Sequence, residues 1–282
     1  MIRKLESLCA LENERIEDKI EELCSHKNFE FVSSLKYAAI LQQGIFPKQR
    51  HFNRIFEDSF VLYLPQQIIS GDFFWLSQVN DDLTYLAVGD CTGHGVPGAM
   101  LSILANNLLS YSILNKRLKK TNKILKEMDK RFIESFSSDQ HEVEFNNDWF
   151  DVSLVCIDRK NKTVQFSGAK RKALFVNKDG FKTIKGSSYP IGGWQMEEER
   201  HFDSTTIKYE EGDLLYLSSD GFQDQIGGPK NKKYKSLRLK EWLNKNSSLK
   251  LDDQKQMLLA EHFYWKGGNE QTDDICIVGV RL

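Results

Sequence analysis

Apolar and polar positions along the chain change their period near residue 59. Before it the period is helical. Ile2, Cys9, Ile16 and Leu23 recur every seven residues, with Leu5 and Ile20 beside them. Glu6, Glu12, Glu14, Glu17, Asp18, Glu21 and Glu22 take the other faces. This predicts a helix with one apolar stripe. The second core position of the heptad falls on Leu5, Glu12 and Lys19, which makes a poor seam. Such a helix either packs on its own domain or pairs with a second copy of the chain, and the pattern does not choose. A second helical run is predicted from Phe31 to Gln43, stopped by Gly44 with Pro47 beyond it.

From Ser59 the pattern is one of strands. Phe60 to Leu64, Asp72 to Val79 and Leu83 to Gly89 are short apolar or alternating runs. Two helical runs follow, Pro97 to Leu114 and Thr121 to Phe136, then a polar loop from Ser137 to Asp148. Strands resume at Phe150 to Asp158, Thr163 to Gly168 and Ala173 to Val176. Hairpin turns are predicted at Arg159 to Lys162 and Asn177 to Gly180. Pro190, Gly192 and Gly193 make Ile184 to Gln195 irregular. Thr205 to Tyr209 and Leu214 to Ser218 are further strands, and Leu237 to Leu243 and Leu251 to Trp265 are helical by spacing. Ile275 to Val280 is continuously apolar, as in a strand buried on both faces. Strand runs broken by pairs of helices predict an α+β layered domain. The change of pattern divides the chain into a helical N-terminal segment, residues 1–50, and a domain over 51–282.

Composition narrows the function. With 39 basic against 40 acidic residues, the net charge is −1 and neither sign forms a block. Nothing therefore argues for nucleic acid or an anionic membrane. The five cysteines are irregularly spaced, without a CxxC pair, which suggests neither a zinc site nor a disulfide framework. The first 25 residues are charged rather than apolar, and no run reaches the ~18 apolar residues of a membrane span. A cytoplasmic protein is the expectation.

The candidate chemistry lies in four aspartates at the edges of predicted strands. They occur in Ser70-Gly71-Asp72, in Gly89-Asp90-Cys91-Thr92-Gly93-His94-Gly95, in Ser218-Ser219-Asp220-Gly221 and in Thr272-Asp273-Asp274. Carboxylates on glycine-rich turns, with backbone carbonyls beside them, suit hard divalent cations. The glycine turn lacks the Lys-Ser/Thr ending of nucleotide-binding loops, which disfavours NTP.

These four elements, in this order, resemble the PPM family of metal-dependent Ser/Thr phosphatases (protein phosphatase 2C-like), and most of all its bacterial SpoIIE-type branch. The resemblance runs from about Ile40 to Leu282. It implies an αββα sandwich, two stacked antiparallel sheets with helices outside, carrying an N-terminal helical extension. It also implies a cytoplasmic phosphatase that binds two Mn2+ or Mg2+ ions and hydrolyses phosphoserine or phosphothreonine of a signalling protein with a metal-activated water. In this branch the usual substrate is a phosphorylated anti-sigma-factor antagonist.

By the same resemblance, Asp90 would bridge the ions and the backbone carbonyl of Cys91 would bind one of them. Asp220 and Asp273 would complete the first ion, and Asp72 would serve the second. Spacing alone does not say which Asp bridges. Nor does strand alternation choose between Asp273 and Asp274, since both faces of the last strand read as buried. The resemblance selects Asp273 and leaves Asp274 to hold the turn or a backbone amide. His94, four residues after Asp90, is either a general acid or a residue that steadies the turn or caps the helix. Lys170-Arg171-Lys172 either contacts a phosphopeptide or forms a solvated turn. Two rival functions are a non-catalytic module that keeps the fold and only binds its partner, and a hydrolase of small phosphoesters. A homodimer through the N-terminal helices is a further expectation.

Overall fold

The computed structural model describes residues 29–136, 147–193 and 200–282. The heptad stretch from Ile2 to Leu23, most of the loop from Ser137 to Asp148, and Gln195 lie outside the described residues. The chain divides between Gln43 and Gly44. Residues 29–45 are helical (α1), and Phe29, Phe31, Tyr37, Ile40 and Leu41 along it are exposed. The body begins before residue 51: Phe46 already belongs to its core, and α2 (Gln49–Ile55) adds the fully buried Phe52.

Two antiparallel sheets form the body from Gly44 to Leu282. One contains β1 (Ser59–Leu64), β6 (Lys172–Asn177), β7 (Gly180–Lys185), β10 (Leu214–Ser218) and β13 (Ile275–Arg281), in the order β1-β13-β10-β6-β7. The other runs β2-β3-β4-β5-β9, from β2 (Asp72–Gln78), β3 (Leu83–Cys91), β4 (Trp149–Asp158), β5 (Thr163–Ala169) and β9 (Thr205–Lys208). The two-residue β8 (Ile191–Gly192) also pairs with β4.

Strand β13 shows why the chain layers as it does. It lies between β1 and β10, so neither edge is free. Cys276, Val278 and Val280 join the core between the sheets. Ile275 and Ile277 face a second core with Leu239 and Leu243 of α6 (Ser236–Lys245) and Leu251 and Leu258 of α7 (Leu251–Lys266). A strand covered on both faces must be apolar at every position, which is the run seen in the sequence. On the outer side of the other sheet pack α3 (Gly95–Ser110) and α4 (Thr121–Phe136), through Leu101, Leu108, Leu125, Met128 and Phe132. The result is the αββα sandwich.

Three features differ from the sequence expectation. The helix expected to reach Leu114 is α-helical only to Ser110 and continues as a π-helical turn, Tyr111–Asn115. The segment after Gly180 is a strand, β7, at a sheet edge; only Ile184 of it is buried, so it lacks the apolar signal. A one-turn helix, α5 (Gly221–Asp224), and a small hairpin, β11 (Ile226–Gly227) with β12 (Lys232–Lys233), follow β10.

Candidate active site

Three aspartates stand side by side across neighbouring strands. In the β2-β3 register Asp72 is opposite Asp90, and in the β3-β4 register Asp90 is opposite Asp151. Directly opposed residues share a face of the sheet, so β2, β3 and β4 present a row of carboxyls there. Asp220 and Asp273 come from the other sheet, at the end of β10 and just before β13. These strands are antiparallel neighbours with Ser218 opposite Ile277, which brings both residues to one end of that sheet.

Local bonds fix that end. Ser219 N donates to the carbonyl of Cys276 (2.9 Å), and Cys276 N donates to Ser219 Oγ (2.9 Å). Gly221 is required by close approach, since a Cβ there would lie 1.9 Å from the carbonyl oxygen of Asp274. Asp274 is buried and spends both carboxylate oxygens on backbone amides, Gln66 N at 2.6 Å and Gly71 N at 2.8 Å. It thereby ties the start of β13 to the segment that positions Asp72. Asp273 is exposed, and its Oδ1 accepts a bond from Asp274 N (2.8 Å).

Arg171 joins the two groups. Its Nη2 donates to Asp90 Oδ2, its Nη1 lies 3.0 Å from Asp220 Oδ2, and its Nε lies 3.4 Å from Asp151 Oδ2. The side chain is only 10 % exposed. A buried guanidinium among carboxylates stays charged, and these neighbours outweigh burial and raise its pKa further.

The carboxyls respond unequally. Burial, and then the neighbouring Asp90, push Asp72 well above the usual carboxylate range. Burial also raises Asp90, against the pull of Arg171 and with the push of Asp220. Asp151 is pushed up to about 6, chiefly by burial. Burial pushes Asp220 up as well, but the charge and hydrogen bond of Arg171 outweigh it and hold Asp220 below its ordinary value. Asp273 is raised as well: the residue is exposed, but its carboxyl is partly desolvated.

One guanidinium does not satisfy this cluster. Asp72 is 1 % exposed, and its Oδ2, like Oδ1 of Asp151, is buried with no hydrogen-bond donor. Burying an unpartnered carboxylate oxygen is costly. An all-oxygen set of this kind fits a hard divalent cation. As placed, no three acidic, His or Cys side chains among the described residues converge on one point, and Arg171 lies among them instead.

The remaining sequence candidates sit around this cluster. Cys91 ends β3; its thiol is buried and burial raises its pKa, which leaves its backbone as the group with polar chemistry. His94 occupies the N-cap position of α3, but its side chain makes no cap bond; Nδ1 lies 3.3 Å from Gln67 Nε2. The basic triplet divides three ways. Lys170 lies over the Trp149 ring at 4.0 Å, and Lys172 Nζ donates to Ser236 Oγ at 3.1 Å. Arg171 turns inward, so the solvated-turn reading does not describe it. Sequence reasoning missed Asp151 altogether. The available signal was an acidic residue inside the apolar run Phe150 to Ile157.

The family model for Stage II sporulation protein E (SpoIIE) matches residues 80–282. The chain belongs to the SpoIIE family. The matched segment holds Asp90, Asp151, Arg171, Asp220 and Asp273, while Asp72 precedes it. Among solved structures, the SiaA-PP2C domain of Pseudomonas aeruginosa is 28% identical with a TM-score of 0.79, over 90% of this chain and 97% of that one. The PP2C phosphatase domain of SpoIIE from Bacillus subtilis, solved with a fragment of its regulatory domain, shares the fold at 19% identity. Its TM-score is 0.63, over 80% of this chain and 63% of that one. Phosphoserine phosphatase RsbP of Bacillus subtilis (strain 168) is 23% identical over 212 residues, 74% of this chain and 48% of RsbP. The chain thus spans about half the length of that relative. Family and fold together are those of PP2C-type (PPM) phosphatase domains.

Proposed function

We propose that this chain is a serine/threonine phosphoprotein phosphatase that works with two divalent cations, Mn2+ or Mg2+. The observation that carries this reading is the meeting of Asp72 and Asp90 with Asp220 and Asp273 at the facing ends of two sheets, with buried carboxylate oxygens left unpartnered. These four side chains and the Cys91 carbonyl would hold the cations. When bound, such ions neutralise phosphoryl charge and acidify a water, so that hydroxide is available near neutral pH.

The chain's own groups have distinct parts. Asp90, the middle of the row, would be the carboxylate common to the Asp72 side and the Asp220 side. Asp220 and Asp273 border the open side, where a phosphoryl ester approaches. Asp274 acts through backbone, by keeping the segment before Asp72 in place. His94 stays at the helix start as part of the turn. The substrate is a phosphorylated signalling protein of the anti-sigma-factor antagonist kind, a reading to which the phosphoserine activity named for RsbP lends support.

One observation favours a second reading. Arg171 already neutralises part of the cluster, as a PPM-fold module that only binds its partner would allow. Phosphate release with Mn2+ from a phosphoserine protein, beside hydrolysis of p-nitrophenyl phosphate, separates the readings. Turnover of both, faster on the protein, is expected. Turnover of the small ester alone would indicate a small-phosphoester hydrolase, and turnover of neither would indicate the binding module.

A further inference from the structure

We propose that Arg171 is the resident counter-cation of the acidic cluster, and that divalent cations load the site only by displacing its guanidinium. Arg171 would then set the metal concentration at which the site fills. This inference rests on the metal-dependent reading above.

The first ground is competition for the same atoms. Arg171 engages Oδ2 of Asp90 and Oδ2 of Asp220, which belong to two of the proposed metal ligands and come from different sheets. An oxygen that faces a guanidinium at hydrogen-bond distance does not also take a cation from the same side. A fixed positive charge beside a divalent ion is moreover repulsive, and strongly so where water is excluded.

The second ground is that the backbone is built to hold Arg171 here. Lys170, just before it, has φ 54°, the left-handed region that costs a non-glycine residue energy. That conformation is kept by bonds on both sides: Lys170 N donates to Ser187 O (2.8 Å), Ser187 N to Gly168 O (2.8 Å) and Gly186 N to Arg171 O (3.1 Å). The packing is tight enough that a Cβ on Gly168 or Gly186 would lie 2.3 or 2.4 Å from the carbonyl oxygen of Arg171. Lys170 on Trp149 and Lys172 on Ser236 anchor the flanks. The main chain at Arg171 therefore cannot retreat, and metal loading has to move the side chain alone.

The third ground is charge. Asp90, Asp151 and Asp220 share the contact of a single guanidinium, Arg171, and among the described residues buried oxygens of Asp72 and Asp151 remain without donors. One arginine holds such a cluster together without satisfying it, as a displaceable ion would.

The test is calorimetric titration of Mn2+ into the chelator-stripped 282-residue chain, compared with Arg171→Gln and Arg171→Lys. Arg171→Gln is expected to bind Mn2+ about tenfold tighter or more, equivalent to about 1.4 kcal/mol, with Arg171→Lys in between. In chelator, Arg171→Gln should melt lower than the parent, and Mn2+ should raise its melting temperature by more. Equal or weaker Mn2+ affinity in a cooperatively folded Arg171→Gln overturns the inference. If that variant does not fold in chelator, Arg171→Lys decides by the same criterion. Absence of Mn2+ binding in parent and variants alike overturns the metal-dependent reading itself, a different result from equal binding in all three.

Discussion

At the scale of single residues, Asp273 and Asp274 are chemically identical neighbours with different surroundings. Asp274 is buried and committed to two backbone amides, whereas Asp273 is exposed beside Asp220. Asp274→Ala would leave the amides of Gln66 and Gly71 without an acceptor, at about 1–3 kcal/mol for the buried one. It should lower the urea midpoint while Mn2+ affinity in the folded protein changes little. Asp273→Ala should do the opposite, weakening Mn2+ binding and cutting kcat with little loss of stability. The reverse order in titration and denaturation would reassign the two. The sequence placed four carboxylates at strand ends because each lies at the edge of an apolar run, three of them (Asp72, Asp90 and Asp220) with a glycine next to them. Asp151 was not legible in that way: it lies inside its strand, and only the register opposite Asp90 gives it meaning. Arg171 was visible as part of a basic triplet, but its direction depends on contacts to three elements distant in sequence.

Among elements, the clearest case is helix α7, whose inner face carries His262. That imidazole is 1 % exposed, it lies against Phe222 (5.7 Å between centroids), and neither ring nitrogen has a hydrogen-bond partner among the described residues. Burial, and then Lys266, hold its pKa below the ordinary 6.5. The folded state therefore takes up a proton on His262 less readily than the unfolded chain, which does so below about pH 6.5. Stability from this source is present above that pH and is lost as pH falls through it. His262→Leu should flatten the fall in melting temperature between pH 7.5 and 5.5, and parallel curves for parent and variant would refute this. Legibility of the elements follows burial. β13 was clear because both its faces are covered, whereas β7 was missed because an edge strand with exposed lysines carries little apolar signal. The π-helical turn after α3 changes hydrogen bonding without breaking the apolar run that suggested a helix as far as Leu114.

For the whole molecule, alternation in the sequence sufficed for an α+β layered domain, and the family resemblance carried by the four motifs implied the αββα sandwich. Strand order was not legible, because β1 pairs with β13 and β10 with β6 across long stretches of chain. No helix among the described residues is long and apolar enough to cross a membrane. Among the described residues, the first to join the layered cores of the body is Phe46. Deleting residues 1–28 should therefore leave a folded protein that still binds Mn2+. If the N-terminal helices pair two copies, as we propose from the apolar stripe and the exposed apolar residues of α1, light scattering should show a smaller particle after deletion. An unchanged number of chains per particle would remove the dimer.

The central claim is that these carboxylates form a metal-dependent phosphatase centre. Phosphate release from a phosphoserine protein, measured in chelator and then with Mn2+ restored, tests it most directly, with Asp220→Asn alongside. The expected result is no release in chelator, recovery with Mn2+, and none in folded Asp220→Asn under either condition; undiminished release in chelator would contradict the account.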